Sequence, residues 1–208
     1  MNGETMKTLM GSESAEYLTP GWILDAIEKV APIALDPCAH KRSDVYGRAM
    51  ITIVGSGDLG GLSANWSNMI ATRLGVVFIN PPYGRALKAW AAKMAAEPCP
   101  QIALVPARVD TGWWRQMNPD AWCALSGRVK FLSCQHEWGV TNRKGYHCQH
   151  CDQYADEPLK TECPAAAPSE TDPAPFPSAI CLMHADAAMR ARFVQVFKEH
   201  GPIYVRAD

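Results

Sequence analysis

Four consecutive residues have side chains suited to a binding or catalytic site: the tetrad Asn80-Pro81-Pro82-Tyr83, directly after the apolar run 76–79. Prolines lack a backbone N–H and have a fixed φ, so the pair stiffens the turn and can hold the Asn80 side-chain oxygen and the Pro81 carbonyl toward one cleft. Two converging acceptors suit an exocyclic amine, which carries two N–H donors, and Tyr83 adds an aromatic face. The tetrad therefore predicts a pocket for a planar amine such as adenine. The alternative is a rigid proline turn in which Tyr83 only covers the core.

An aromatic amine is a poor nucleophile because its lone pair is delocalised into the ring. Acceptors placed for a tetrahedral nitrogen favour localisation of that lone pair, which stabilises the transition state through preorganised dipoles. Such a pocket needs no strong general base before attack, since the proton can leave once the nitrogen has become acidic. The predicted reaction is attack by an amine nitrogen on an electrophile.

A second group of chemically active residues lies in the stretch SCQHEWGVTNRKGYHCQHC, residues 133–151. Cys134 and His136 form one pair, and Cys148 and Cys151 form another after a short loop, which is the outline of a zinc-ribbon-like or finger-like site. Four protein donors leave no open position for water, so the predicted zinc ion is structural. The sequence also contains three spare candidates for the fourth ligand: His147, His150 and Cys163.

Length and composition place these groups in an ordinary globular protein. The chain has 208 residues, a net charge of −1 and 48% hydrophobic residues. Its near-zero charge provides no global attraction to nucleic acid, so any basic binding surface must be local. The N-terminal stretch has no apolar core typical of a signal peptide, and no run approaches the roughly 18 residues that span a bilayer. We therefore expect a cytoplasmic protein that does not bind membranes.

The elements that must position the tetrad alternate between strand and helix. Thr19 followed by Pro20 predicts a helix start, with Thr19 as the N-cap and proline in the first turn. Short strands are predicted at 32–39, 49–54, 75–80 and 101–110, with a helix at 85–97. Because these strands are apolar on both faces, we expect an α/β fold with a mostly parallel sheet covered by helices.

Polar residues fall at or near the ends of these strands, where ligands bind in open α/β sheets. They are Asp36, Asp58, Asn80 and Asp110.

The chain changes character after residue 132. Residues 133–154 contain the Cys/His cluster, and residues 155–175 form a proline-rich linker with too little apolar sequence for a core of its own. Strand and helix patterns resume with SAICLMH, DAAMRARFVQVFKEHG and PIYVRA. The predicted organisation is one domain made of residues 1–132 and 176–208, interrupted by a zinc-binding insertion.

The order of several segments is similar to the phage-type DNA N6-adenine methyltransferase family. These segments are LTPGWILDAI, LDPCA, DLGGLSANW, VFINPPYG, ALVPARVDTGWW, GRVKF and PFPSAICL. The resemblance implies a Rossmann-like methyltransferase sheet that uses S-adenosylmethionine as the methyl donor and DNA as the partner. It also implies that Asn80, Pro81, Pro82 and Tyr83 hold a flipped adenine and orient its amine.

The same resemblance implies a set of donor-binding residues. Asp36, Pro37 and Cys38 would lie along the donor, Thr19 and Pro20 at its carboxylate end, and Asp58 near the adenosine or the target base. The sequence departs from many donor-binding folds in its first loop, DPCAHKRSD, which has no glycine before Gly47. An acid to bind the ribose after the second strand is also not evident.

Other functions are compatible with the same residues. The tetrad could orient an amine of RNA or the amide of a protein glutamine, and a non-catalytic zinc module on an enzyme-like scaffold could bind nucleic acid. Within the insertion, Arg143 and Lys144 combine charge with nearby aromatic residues, which suits DNA contact. The alternative for this segment is a solvated loop that zinc stabilises. Arg108 is either a phosphate contact or a solvated cation.

Overall fold

The computed structural model describes residues 18–39, 45–54, 59–133, 138–140, 146–148, 154–155, 169–170 and 172–207. Its strands are β1 (Ile33–Ala39), β2 (Ile51–Val54), β3 (Val76–Ile79), β4 (Gln101–Pro106), β5 (Ala121–Ala124), β6 (Leu132–Ser133), β7 (Trp138–Val140), β8 (Tyr146–Cys148), β9 (Tyr154–Ala155), β10 (Ser169–Glu170), β11 (Ser178–Met183) and β12 (Ile203–Val205). Its helices are α1 (Gly21–Val30), α2 (Val45–Arg48), α3 (Leu59–Ser63), α4 (Trp66–Ile70), α5 (Leu87–Ala96), α6 (Gly112–Met117) and α7 (Ala187–Phe197), with a 3-10 turn at Gly84–Ala86.

Seven strands form the main sheet, in the order β12-β5-β11-β4-β3-β1-β2. The strands β2, β1, β3 and β4 are parallel to one another, as predicted. The expectation of a mostly parallel sheet is wrong for the other half, because β11 is antiparallel to both β4 and β5, and β12 is antiparallel to β5. All six residues of β11 are buried, so its apolar pattern is the same as that of a central parallel strand. The α/β class is confirmed, with a mixed sheet.

Helices cover both faces of this sheet and form two hydrophobic clusters. On one face, α1 and α7 pack against the strands through residues such as Ile27 and Phe193. On the other face, α4, α5 and α6 contribute large side chains, among them Trp66, Trp90 and Trp114. Burial of apolar surface on both faces stabilises the sheet at about 25 cal/mol per Å² removed from water. In the part of the chain that the structure describes, no helix is long and apolar enough to cross a membrane.

The start of α1 differs from the prediction. Pro20, with φ −61° and ψ 143°, occupies the N-cap position, and no side chain caps the helix. The Ile23 N–H instead donates to the Pro20 carbonyl, at 3.1 Å. The prediction of Thr19 as the N-cap is therefore wrong, and its hydroxyl is used in a contact outside the helix.

The strand order produces a switch point between β1 and β3. From β1 the chain runs to β2 at the edge of the sheet and then returns to place β3 on the other side of β1. In open α/β sheets, a crevice forms outside the carboxyl ends of the strands at such a point. The carboxyl ends of β1 and β3 therefore define the first place to look for a ligand site.

The chain between β5 and β11 leaves the main sheet from this same edge. The strands β6 and β10 pair with each other, and Leu18 forms an antiparallel bridge with Leu132. The strands β7, β8 and β9 form a separate small antiparallel sheet. Strands before and after this segment share the main sheet, since β11 lies between β4 and β5.

Candidate active site

Asn80 lies at the carboxyl end of β3 and is bound on two sides. Its side-chain Nδ2 donates to Thr19 Oγ1 at 3.0 Å, and its Oδ1 accepts from Tyr83 Oη at 3.1 Å. Phe78 packs in the cluster under α1, and alternation along the strand directs Asn80 to that same face. Because Thr19 leads into α1, the helix brings its hydroxyl to the amide. An amide oxygen has two lone pairs, so Asn80 Oδ1 can accept a further hydrogen while Tyr83 stays bound.

Tyr83 is half-buried and held by two further aromatic rings. Its ring centroid lies 6.0 Å from that of Phe131 and 5.5 Å from that of Phe176, with interplanar angles of 73° and 76°. Its hydroxyl also lies 3.3 Å from the Leu104 carbonyl of β4. These contacts fix the ring beside Asn80, since edge-to-face pairs are favourable by about 0.5–1.5 kcal/mol.

Sequence reasoning did not identify Phe131 and Phe176 as neighbours of Tyr83. They precede β6 and β11, so they flank the Cys/His segment on both sides. Both occur in segments that carried the resemblance, GRVKF and PFPSAICL. Their distance from Tyr83 along the chain left no local signal of the contact.

Asp36 lies near the end of β1 and is 3% exposed. Its Oδ1 accepts from the Cys38 backbone N–H at 2.9 Å. Burial raises the pKa of the carboxyl from 3.8 to about 7, although hydrogen bonds from Cys38 partly offset this effect. In the described residues, no basic side chain pairs with this carboxyl. The site therefore contains a buried acid that has no cationic partner among the residues described.

Cys38 connects the ends of β1 and β3. Its thiol lies close to the Asp36 carboxyl and to the backbone amide of Asn80, which act on the pKa of the thiol in opposite directions. Burial, followed by the proximity of Asp36, raises the pKa of the thiol well above its ordinary 9.0. The thiol therefore stays protonated at neutral pH, and a protonated thiol is a poor nucleophile.

The prolines of the site are positioned by packing. Pro20, Pro37 and Pro81 are buried, and Pro82 is half-buried. Gly61 of α3 approaches the end of β1 so closely that a Cβ atom there would overlap the Pro37 carbonyl and lie 2.8 Å from the Trp90 ring. The helix can pack against this strand end only because position 61 has no side chain.

The structure brings together the predicted residues on three segments. Hydrogen bonds join Thr19 to Asn80 and Asn80 to Tyr83, and the Cys38 backbone N–H donates to Asp36 on the adjacent strand. The two clearest surface depressions lie elsewhere, one of about 400 Å³ along α7 and one of about 370 Å³ beside α6. The hydrogen-bonded residues lie at the switch point of the sheet. Their donor and acceptor groups indicate a ligand site more directly than the volume of a surface depression does.

For the remaining predicted site residues, the structure describes either nothing or only the backbone. Asp58, Cys134, His136 and Cys151 are outside the described residues, as are the spare candidates His150 and Cys163. For Cys148 and His147 only the backbone of β8 is described, where Cys148 pairs with Trp138. Among the side chains that the structure describes, no group of three His, Cys, Asp or Glu could hold a metal ion. The zinc site stays a prediction.

Comparisons with protein-family models, with curated proteins and with solved structures find no match for this chain.

Proposed function

We propose that this chain transfers a methyl group from S-adenosylmethionine to the N6 amine of adenine in DNA. The proposal rests on the position of Asn80 at the carboxyl end of β3, where its side chain is hydrogen-bonded on two sides, with the buried Asp36 carboxyl near the end of the adjacent strand β1. The side-chain oxygen of Asn80, which can accept a hydrogen bond from an amine, and the buried carboxyl of Asp36 thus lie on the two strands that flank the switch point of the sheet. A Rossmann-like methyltransferase domain formed by residues 1–132 and 176–208 is part of this proposal.

The chemistry of the β1 end suits S-adenosylmethionine. Asp36 is a buried carboxyl with no basic partner in the described residues, and a ligand with a positive charge and hydroxyl groups would stabilise its ionised form. Pro37 and Cys38 would line the same ligand, with Thr19 and Pro20 at its carboxylate end and Asp58 near its adenosine. When bound, the donor supplies an electrophilic methyl group on its sulfonium.

The tetrad would orient the attacking amine. Asn80 Oδ1 and the Pro81 carbonyl accept the two amine hydrogens, so that the nitrogen lone pair is directed away from them, and Tyr83 provides a stacking surface. Flipping the adenine out of a duplex costs a few kcal/mol, and base–aromatic stacking of about 1–3 kcal/mol offsets part of it. The nitrogen forms its bond to the methyl carbon as the sulfur–carbon bond breaks, and the extra proton then leaves to water.

The Cys/His segment is proposed to bind a structural zinc ion through Cys134, His136, Cys148 and Cys151. Thiolate and imidazole donors are those that tetrahedral zinc prefers. The strands β7 and β8 pair in antiparallel fashion, with β8 ending at the predicted ligand Cys148, which supports a compact segment there. Residues 133–154 would form this insertion and residues 155–175 a linker. Such an enzyme would act in the cytosol, where donor and DNA occur together.

The proposal is tested by incubating the protein with isotopically labelled S-adenosylmethionine and double-stranded DNA. The DNA is digested to nucleosides, and the labelled species is identified by mass spectrometry. We expect label in N6-methyladenine. We also expect Asn80→Ala to lose methylation while it retains donor binding, because the amide contacts the amine and not the donor.

Asn68→Ala is the matched control, because Asn68 is exposed on α4. Label in RNA or in protein glutamine, with none in DNA, would assign the pocket to another amine. An Asn80→Ala variant with normal turnover would contradict the mechanism. Failure to bind S-adenosylmethionine would favour a non-catalytic nucleic-acid-binding protein.

A further inference from the structure

Two loops project from the edge of the sheet beside Tyr83. The first is the 3-10 turn Gly84–Ala86, which leads into α5, and the second is the loop 107–111 after β4. The strands β3 and β4 are parallel neighbours, with Ile79 paired to Ala103, so both loops leave the same edge. Three exposed cations lie at this edge: Arg85 in the 3-10 turn, Lys88 in the first turn of α5 and Arg108 in the second loop.

None of these three side chains has a hydrogen-bonding or ionic partner among the residues that the structure describes. Elsewhere, by contrast, Arg48, Lys93 and Arg206 each pair with a carboxylate. Residues 80–88 and 107–111 contain only one acid, Asp110. These loops therefore have a local excess of two positive charges in a chain whose net charge is −1.

The backbone of the second loop is held rigidly. The Ala107 N–H donates to the Pro177 carbonyl at 2.8 Å, and the Arg108 carbonyl accepts from both the N–H and the hydroxyl of Thr111, at 3.0 and 2.7 Å. Arg115 also donates to the Asp110 carbonyl at 3.2 Å. The tip of the loop consequently presents Arg108 and the half-exposed Val109 to solvent from a fixed backbone. Preordering of this kind lowers the entropic cost of binding a partner.

We infer that Arg85, Lys88 and Arg108 contact the phosphates of duplex DNA on either side of the target adenine. The inference rests on the proposed function, because it takes the tetrad as the adenine pocket. Phosphate contacts position a duplex without reading its sequence, and guanidinium and ammonium groups are the usual donors. The 3-10 turn follows the tetrad directly, and the loop 107–111 leaves the neighbouring strand at the same edge, so a base delivered to Tyr83 brings its neighbouring phosphates to both.

The test compares two double variants that remove equal charge. Arg85→Gln/Arg108→Gln alters the proposed surface. Lys29→Gln/Arg73→Gln removes two exposed cations at the end of α1 and in the loop before β3, at the opposite edge of the sheet. Binding of a fluorescent DNA duplex is measured by anisotropy over a series of salt concentrations, and the logarithm of Kd is plotted against that of salt concentration.

Each phosphate contact contributes about 0.9 to the slope of this plot, so we expect the first variant to lower it by about 1.8 and Lys88→Gln by about 0.9. The control variant should leave the slope nearly unchanged. Equal slopes for the wild type and the first variant, or an equal loss in the control, would overturn the inference. Tighter binding to RNA than to the duplex would overturn the assignment to DNA.

The same variants separate this inference from the proposed function. DNA methylation with an unchanged salt slope would leave the methyltransferase proposal standing and remove the phosphate surface. A reduced slope in a protein that never methylates DNA would support the surface and refute the proposed reaction. Donor binding should be the same in all these variants, because none of the altered side chains lies at the end of β1.

Discussion

At the scale of single residues, Asn80 is held by Thr19 on one side and by Tyr83 on the other. Thr19 is 2% exposed, so its hydroxyl is a buried partner of the Asn80 amide. Loss of one hydrogen bond at this partly buried amide costs about 1 kcal/mol, and in the proposed mechanism a misplaced amide orients the amine poorly. In the proposed enzyme, Thr19 is therefore expected to position the tetrad, in addition to its predicted contact with the donor.

We expect Thr19→Val to lower the rate of methyl transfer about fivefold, because one hydrogen bond of about 1 kcal/mol is lost and the amide can rotate. Thr19→Ser keeps the hydroxyl and should retain most of the rate. The measurement is single-turnover methylation together with calorimetric donor binding. Unchanged donor affinity with a reduced rate supports action through Asn80, whereas weaker donor binding with an unchanged rate would assign Thr19 to the donor alone.

Asp36 predicts a pH dependence of stability. Its pKa is about 7 in the folded protein and 3.8 when exposed, so between these values the folded state binds more protons than the unfolded state. Its contribution to the free energy of unfolding therefore falls as the pH rises through this window and is constant above it. Asp36→Asn should remove this decrease, so the variant gains stability relative to wild type as the pH rises toward about 8.

Urea denaturation of both proteins over this pH range measures the difference, with Asp110→Asn as the control because Asp110 is exposed. A constant difference in stability between wild type and Asp36→Asn at every pH would show that the carboxyl is not buried as described.

At the scale of elements, α3 packs against β1 through a glycine. A Cβ at Gly61 would overlap the Pro37 carbonyl, whereas a Cβ at Gly60 would meet only the side chain of Ile53 at 3.3 Å. Gly61→Ala should therefore displace the helix from the end of β1 and destabilise the protein by about 1–3 kcal/mol, which is typical of overpacking. We expect weakened donor binding in the same variant.

Gly60→Ala is the matched control, since it adds the same methyl group to the same helix one residue away. Thermal denaturation and donor calorimetry of the two variants give the comparison. Equal behaviour of the two would show that contact with Pro37 does not position the end of β1.

At the scale of the whole molecule, the segment between β6 and β10 is predicted to be dispensable for folding. Ser133 and Ser169 are paired across these antiparallel strands, so their backbones are already adjacent. A loop of about four residues can close such a pair. Replacing residues 134–168 with a short Gly/Asn linker should leave the melting temperature within about 4 °C of wild type, equivalent to about 1 kcal/mol.

Circular dichroism during heating measures this, and truncation before β11 provides the contrast. β11 is a fully buried strand between β4 and β5, so its removal should abolish cooperative folding. A linker variant that also fails to fold would show that the insertion contributes to the core.

Much of the local structure could be predicted from the sequence, because it depends on neighbouring residues. Helix α5 follows from its alanine and lysine content, and strands β1 to β4 follow from apolar runs that end at polar residues. The residue types of the candidate site were also visible in the sequence, since an amide, two prolines and a phenol in a row restrict the backbone wherever they lie. The parallel half of the sheet was predictable because its strands are apolar on both faces and alternate with helices.

Only the tertiary structure decided which distant groups meet. Thr19 and Asn80 are 61 residues apart in the chain, and local preferences assigned Thr19 to a helix cap rather than to an amide. The direction of β11 was also undetermined, because a strand buried on both faces has the same apolar pattern whether it is parallel or antiparallel. Local sequence restricts the backbone of each segment, whereas contacts between segments depend on the packing of the complete sheet.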